Sequence, residues 1–134
     1  MTDEERLIFH SLDAPAIVTN WDEGLPKMYD SFNACFFKGS LPSISETFVC
    51  VLGPLPREVA GVCLDANDAS KISTNKVTVR PGIRINSKLE CLTSHVAIAL
   101  LHEMTHASGK KGHEEPFQKA IAALYAAGAY NGHL

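Results

Sequence analysis

The chain has no apolar run long enough to cross a bilayer. Its longest, Val96 to Leu101, falls far short of the roughly 20 residues a spanning helix needs. Its four cysteines, Cys35, Cys50, Cys63 and Cys91, show no Cys-x-x-Cys spacing. That argues against a zinc ribbon or a disulfide frame and for reduced packing residues. No basic region precedes an apolar stretch, and the opening Met1-Thr2-Asp3-Glu4-Glu5 is acidic; no secretory signal is visible, and a cytoplasmic location is expected. Positive charge is not in excess either. Twelve Lys and Arg stand against 15 Asp and Glu, for a net charge of −3, so no basic face marks the chain for duplex DNA and strong intrinsic DNA binding is not expected. Internal repeats, low-complexity tracts and linkers are missing, so the 134 residues read as a single domain, 1–134. That length buries a core without staples, and 46% hydrophobic with 20% charged residues is ordinary for a globular chain.

What is present is Leu100-Leu101-His102-Glu103-Met104-Thr105-His106, followed by Ala107-Ser108-Gly109-Lys110-Lys111-Gly112-His113. The first part is a His-Glu-x-x-His motif inside an apolar run. Residues four apart on a helix lie one above the other, so His102 and His106 converge on one small object. Zinc best suits two imidazoles with a carboxylate nearby. Glu103 need not be a ligand; its expected role is to take the proton of a zinc-bound water. Val96, Ala97, Ile98, Ala99, Leu100 and Leu101 are apolar nearly all round, which predicts a buried helix. It is expected to start near the N-cap types Thr93 or Ser94 and to run to about Ser108, with Gly109 as the residue just past its end.

The third ligand decides the subclass. No carboxylate occurs from Pro116 to Leu134, so a site completed by Glu or Asp from a later helix does not fit. The His-Glu-x-x-His-x-x-Gly-x-x-His pattern would place its last histidine on Gly112, and no methionine follows Met104. His113 is the candidate, presented by one reversal of the chain after Gly109. His133, near an expected frayed terminus, is the rival. His95 lies on the same face but about 10 Å up the axis from His102, too far to share one zinc.

In chain order, Thr2-x-x-Glu5 has capping-box form and predicts a short helix to about Ser11. Leu12 to Asn20 reads as a loop or extended segment. Leu25, Met28, Tyr29, Phe32 and Phe36 follow helical spacing within a predicted helix from Asp22 or Glu23 to Phe37. This stripe reads as core, and Asn33 is given only local hydrogen bonds. Strands are predicted at Thr47 to Leu52 and Val59 to Leu64, with Gly61 marking a bulge or close approach. Asp65 to Asn75, polar and turn-rich, reads as an exposed loop or a mobile insert. Val77 to Val79 and Ile83 to Ile85, across Pro81-Gly82, read as a hairpin or one bent edge strand, because Pro81 argues against a central one. Pro116 suits the start of a last helix with Phe117, Ile121, Leu124 and Tyr125 as its packing stripe. The fold class is α+β: a helix, a small twisted sheet, then two helices with the metal between them.

At this point the sequence resembles the SprT-like metallopeptidases, the group that includes Spartan. The resemblance is carried by Leu101 to Ala107, by Gly112-His113 with Phe117 four residues on, by Tyr29-Asp30-Ser31-Phe32-Asn33 with Phe36 or Phe37, by Leu41-Pro42, and by Ala60-Gly61-Val62-Cys63 and Ile83-Arg84-Ile85-Asn86. It covers about residues 25 to 127. The insert between His106 and His113 is short, and no Cys-x-x-Cys ribbon follows. The resemblance implies a zincin-like fold and a zinc metalloendopeptidase acting on protein or peptide, with Zn2+ on His102, His106 and His113 and Glu103 as the base. Ile83 to Ile85 is a candidate for pairing with an extended substrate. Tyr125 and Tyr130 are read as core residues before oxyanion stabilisers, and Lys110 and Lys111 as a solvated pair. Two other readings stay open: another zinc-dependent amide hydrolase, favoured by a closed pocket, and a non-catalytic zinc-binding interaction domain, favoured by a fourth protein ligand.

Overall fold

The computed structural model describes residues 20–133; the helix expected to run to Ser11 and all but the last residue of the Leu12 to Asn20 segment lie outside them. The elements in order are α1 (Trp21–Phe36), β1 (Val49–Gly53), β2 (Gly61–Leu64), α2 (Ala66–Ile72), β3 (Gly82–Asn86), a 3-10 turn (Ser87–Leu89), α3 (Thr93–Ala107) and α4 (Glu115–Ala126). The sheet has strand order β1-β3-β2, with β1 parallel and β2 antiparallel to β3. This is an α+β fold, a mixed three-stranded sheet packed with helices.

Helix α1 buries the expected stripe of Leu25, Met28, Tyr29 and Phe32. Its end is set by Lys38 and Gly39, both at positive φ, with the Gly39 N–H donating to the Asn33 carbonyl at 2.8 Å. The Asn33 amide then donates to the Leu41 carbonyl and accepts the Leu41 N–H, at 3.2 and 3.1 Å. That local role satisfies a buried polar group and fixes the turn into the sheet. One sheet face, with Cys50, Ile83 and Ile85, packs with α1 and with Val96, Ala97, Leu100, Leu101 and Met104 of α3 in one core.

Several expectations are corrected. Ile83 to Ile85 is neither hairpin nor edge but the central strand, and Val77 to Val79 forms no strand. Pro81 permits this because it stands just before the first strand residue: only its carbonyl joins the ladder, accepting the Val49 N–H at 3.0 Å, and its missing N–H costs nothing there. The stretch after Asp65 is not all loop. Asp65 accepts the Asp68 N–H at 2.7 Å and caps α2, the ordinary use of an aspartate at a helix start. Neither Thr93 nor Ser94 caps α3; Leu92 holds the N-cap place, with no side-chain cap. Tyr125 is exposed and leaves the packing stripe. The C-terminal turns are not frayed. His133 is buried, with Nδ1 at 3.2 Å from Ser94 Oγ, because the chain after α4 folds back on the start of α3. The four cysteines are free, and burial pushes the thiols of Cys50 and Cys63 up to about 12.

Candidate metal centre

Helix α3 carries His95, Ile98, Ala99, His102, Glu103 and His106 at spacings of three and four, which places them on one face. Its other faces are locked in the core, so this face has a fixed direction. Gly109, at φ 101°, ends the helix as expected, its N–H donating to the His106 carbonyl at 3.0 Å. A residue with a Cβ is strained at that φ, so glycine starts the reversal that returns His113 to the helix. Gln118, in the first turns of α4, donates to the His113 carbonyl at 3.0 Å and ties the loop down.

The result is a triangle of ring nitrogens. His102 Nε2 lies 3.2 Å from His106 Nε2 and 3.1 Å from His113 Nε2, and the last two are 3.1 Å apart. Among the described residues these three histidines are a group that could hold a metal ion. The donor set fits zinc: three nitrogens bound at roughly 2.0–2.1 Å in a tetrahedron stand about 3.3 Å apart. Protonation fits too. His106 Nδ1 is 2.6 Å from the Lys110 carbonyl, an acceptor only, so Nδ1 carries the proton and the neutral ring keeps a lone pair on Nε2. Burial first, then the neighbouring His106 and His113, lowers the pKa of His102 and favours its neutral, ligating form. The sequence expectation for His102, His106 and His113 thus meets in one place. His95 and His133 are not in the cluster.

No family model, curated protein or solved structure matches the chain. The arrangement itself is consistent with a His-Glu-x-x-His site completed by a third histidine.

Glu103 is 6% exposed and stands apart from the nitrogen triangle. Burial raises its carboxyl to about 7 in the metal-free chain; a cation on the histidines would pull it back down. Gly61 of β2 lies against it. A Cβ there would come within 3.0 Å of Glu103 Cγ and 3.1 Å of Ile85 Cδ1, which gives the close approach anticipated from the sequence its physical reason. Two hollows meet at Gly61 and Glu103. One, of about 640 Å³, runs past Cys63, His106, Asp65 and Lys111. The other, of about 530 Å³, runs past His102, Ala99, Ile98 and Val59. Neither Tyr125 nor Tyr130 lines them.

Three features were not read from the sequence. Phe117, assigned to core packing, has its ring centre 4.9, 4.6 and 4.9 Å from those of His102, His106 and His113, stacked on the second and edge-on to the others. Its position four residues after His113 was the available signal. Lys111 is not simply solvated but pairs with Asp65. The Lys110 carbonyl that orients His106 leaves no trace in residue identity, since every residue has one.

Proposed function

We propose that this chain is a zinc-dependent metallopeptidase of the SprT-like type, with zinc on His102, His106 and His113 and Glu103 as general base. The observation that carries the reading is three imidazole nitrogens within 3.1–3.2 Å of one another, beside a buried carboxylate placed where two hollows meet. Three protein donors match the pattern of catalytic sites, which keep one position for water or substrate. The chemistry zinc supplies when bound is acidification of a water and polarisation of the scissile carbonyl. Glu103, whose side chain lies close against Gly61, takes the proton of the attacking water and delivers it to the leaving amine. Lys110 and Phe117 hold the imidazoles in place.

The two-sided trough supports an extended substrate over a small amide enclosed in a single pocket. With Ile83 to Ile85 paired on both sides, strand addition passes to β2, which lies at the sheet edge and lines both hollows. The partner is then a protein or peptide chain. With a net charge of −3, binding to duplex DNA should be weak, and tight binding with a steep salt slope would overturn that expectation. No helix among the described residues is long and apolar enough to cross a membrane.

The test has two parts. Elemental analysis of protein purified without added metal should give about one zinc per chain; stoichiometric iron, or no zinc uptake, rejects the assignment. At equal zinc content, Glu103→Gln should cleave an unstructured protein such as casein, or the chain itself, about 10²–10⁴-fold more slowly than wild type. Equal rates reject Glu103 as the base.

A further inference from the structure

The two hollows differ in chemistry. The one past His106 has Asp65, Asp68 and Lys111 in its wall, and the Asp65–Lys111 ion pair joins its two sides. The one past His102 has a different lining. Leu89, Ile98, Ala99 and Val59 provide apolar surface, and the charged or titratable groups away from the site, Glu58 and His95, are exposed to solvent. Leu89 and Ile98 are only partly buried, packed on the core from one side, while their other side faces the hollow. Such a surface gains by covering and offers a long charged group little compensation at depth. It also begins at His102 and Glu103 themselves, so whatever fills it is adjacent to the reacting bond.

We propose that this hollow is a side-chain pocket that selects a large apolar residue, such as Leu, Phe or Met, immediately flanking the cleaved peptide bond, and that Ala99 and Ile98 set its depth. The inference rests on the peptidase reading of the site. The volume of about 530 Å³ admits any of these side chains. Ala99 is one of the residues that line the hollow. It is buried and lies one helical turn before His102 and Glu103, so a longer side chain there grows toward the space a substrate side chain would take. Ile98 beside it is the residue whose shortening enlarges the same space. A single methylene in an apolar pocket discriminates by about 10–200-fold, and a preference of at least that order is expected here.

The test uses the zinc-loaded full chain and two variants, Ala99→Leu and Ile98→Ala, each checked for zinc content and circular dichroism. A peptide mixture with varied flanking residues is digested, and the cut sites are mapped by mass spectrometry. In parallel, binding of N-acetyl-leucine hydroxamate and N-acetyl-glycine hydroxamate is measured by calorimetry. Wild type should cut with Leu, Phe or Met on one constant side of the bond and bind the leucine compound at least about 10-fold more tightly. Ala99→Leu should reduce both preferences to near parity, and Ile98→Ala should shift cutting toward aromatic residues. Cleavage without side preference, or equal or absent binding of the two hydroxamates, overturns the pocket while leaving the peptidase reading standing. Hydroxamate discrimination without cleavage of any peptide keeps the pocket and rejects the peptidase reading. If Ala99→Leu fails to fold, Ile98→Ala carries the same decision, because an unchanged cut-site profile in that variant overturns the proposal.

Discussion

Val96, Ala97, Leu100 and Leu101 of helix α3 are enclosed in the hydrophobic core; from His102 to His106 the same helix turns polar groups toward a trough. In the first half Val96, Ala97, Leu100 and Leu101 have no exposed surface. In the second, His102 and His106 are half-buried and Glu103 is buried among apolar neighbours. Burial of the first kind stabilises the fold. Burial of the second kind costs free energy unless each polar group finds a partner. Thr105 shows the cost being met locally: its hydroxyl donates to the Leu101 carbonyl at 2.8 Å. The two histidines and Glu103 are not satisfied so simply, and a metal ion with its water is the partner that the proposed function supplies. One continuous helix lets the packed half hold the polar half in place, so the two halves should respond to mutation in opposite ways.

The largest separation is expected from His113→Ala. His113 is exposed and contributes one of the three nitrogens. Its loss should weaken zinc binding by well over about 100-fold, beyond the range seen for outer-shell changes. The metal-free protein should keep its stability within about 0.5 kcal/mol, as for other surface changes. Competition with a chromogenic chelator and a urea melt read the two quantities. His95→Ala and His133→Ala are the controls, and both should retain zinc, though the buried His133 should cost some stability. Zinc loss in either control would move the third ligand.

The opposite response is expected from Leu100→Ala. It removes a fully buried side chain from the packed half and should cost about 2–5 kcal/mol in the metal-free protein. Zinc affinity of the fraction still folded should change less than about tenfold, since no outer-shell contact to the cluster is lost. A large affinity loss in well-folded Leu100→Ala would show that the halves are coupled more tightly than their contacts suggest.

Glu103→Gln sharpens the comparison within the polar half. Folding raises the Glu103 carboxyl from 4.5 to about 7 through burial. Between those values the folded chain holds a proton that the unfolded chain has released, so wild-type stability falls as pH rises through that window. Gln has no such term. In chelator-treated protein, Glu103→Gln should therefore gain on wild type progressively from about pH 4.5 to 7 and hold a constant advantage above it, on the order of 1–3 kcal/mol. Denaturant melts across pH would show it. A gap independent of pH would mean that burial is not what perturbs this carboxyl. Zinc loading should shrink the gap, because a nearby cation favours the carboxylate.

Periodicity made most of the helices legible in the sequence. The stripe Leu25, Met28, Tyr29, Phe32 and the all-round apolar run before His102 each bury a defined face, and burial is what the fold selects for. The three-histidine cluster was legible because histidines at spacings of four and seven, with Gly109 and Gly112 between the last two, leave few ways to bring the rings together. The order of the strands was not legible. Pro81 argues against a central strand only if it lies within one, whereas it stands one residue outside β3, and residue type alone does not fix which neighbour a strand will pair with. Helix α2 was not legible because it is a short segment that interleaves two alanines and an isoleucine with polar residues, and only the capping of Asp65 marks its start. The Lys110 carbonyl was beyond reach for a different reason: main-chain groups are the same everywhere, so their role depends on the path of the chain.

The smallest effect expected is that of Phe117→Leu, and it tests whether packing and metal binding are separable at all. Among the described residues Phe117 is the one whose ring meets all three histidine rings, at 4.6–4.9 Å between centres. It is buried and belongs to α4, so it brings the hydrophobic contact of the packed half into the polar half. Its side chain can make no hydrogen bond to the cluster and has no charge, so what it could contribute to zinc binding is orientation, by restricting the imidazoles to ring planes that keep the three Nε2 atoms together. Leucine retains the apolar burial but loses the flat face that stacks on His106. Zinc affinity should fall by about tenfold, the lower end of the range for outer-shell residues, with a stability loss of about 1 kcal/mol in the metal-free state. Phe117→Tyr, which keeps the face, should recover most of the affinity. Calorimetric titration of zinc into the three proteins distinguishes the cases. If Phe117→Leu binds zinc as wild type does while losing stability, Phe117 is core and nothing more, and the Lys110 carbonyl and the Gly109 turn are what hold the triangle. If affinity falls in both variants alike, the cause is a displaced α4 rather than a lost stacking face.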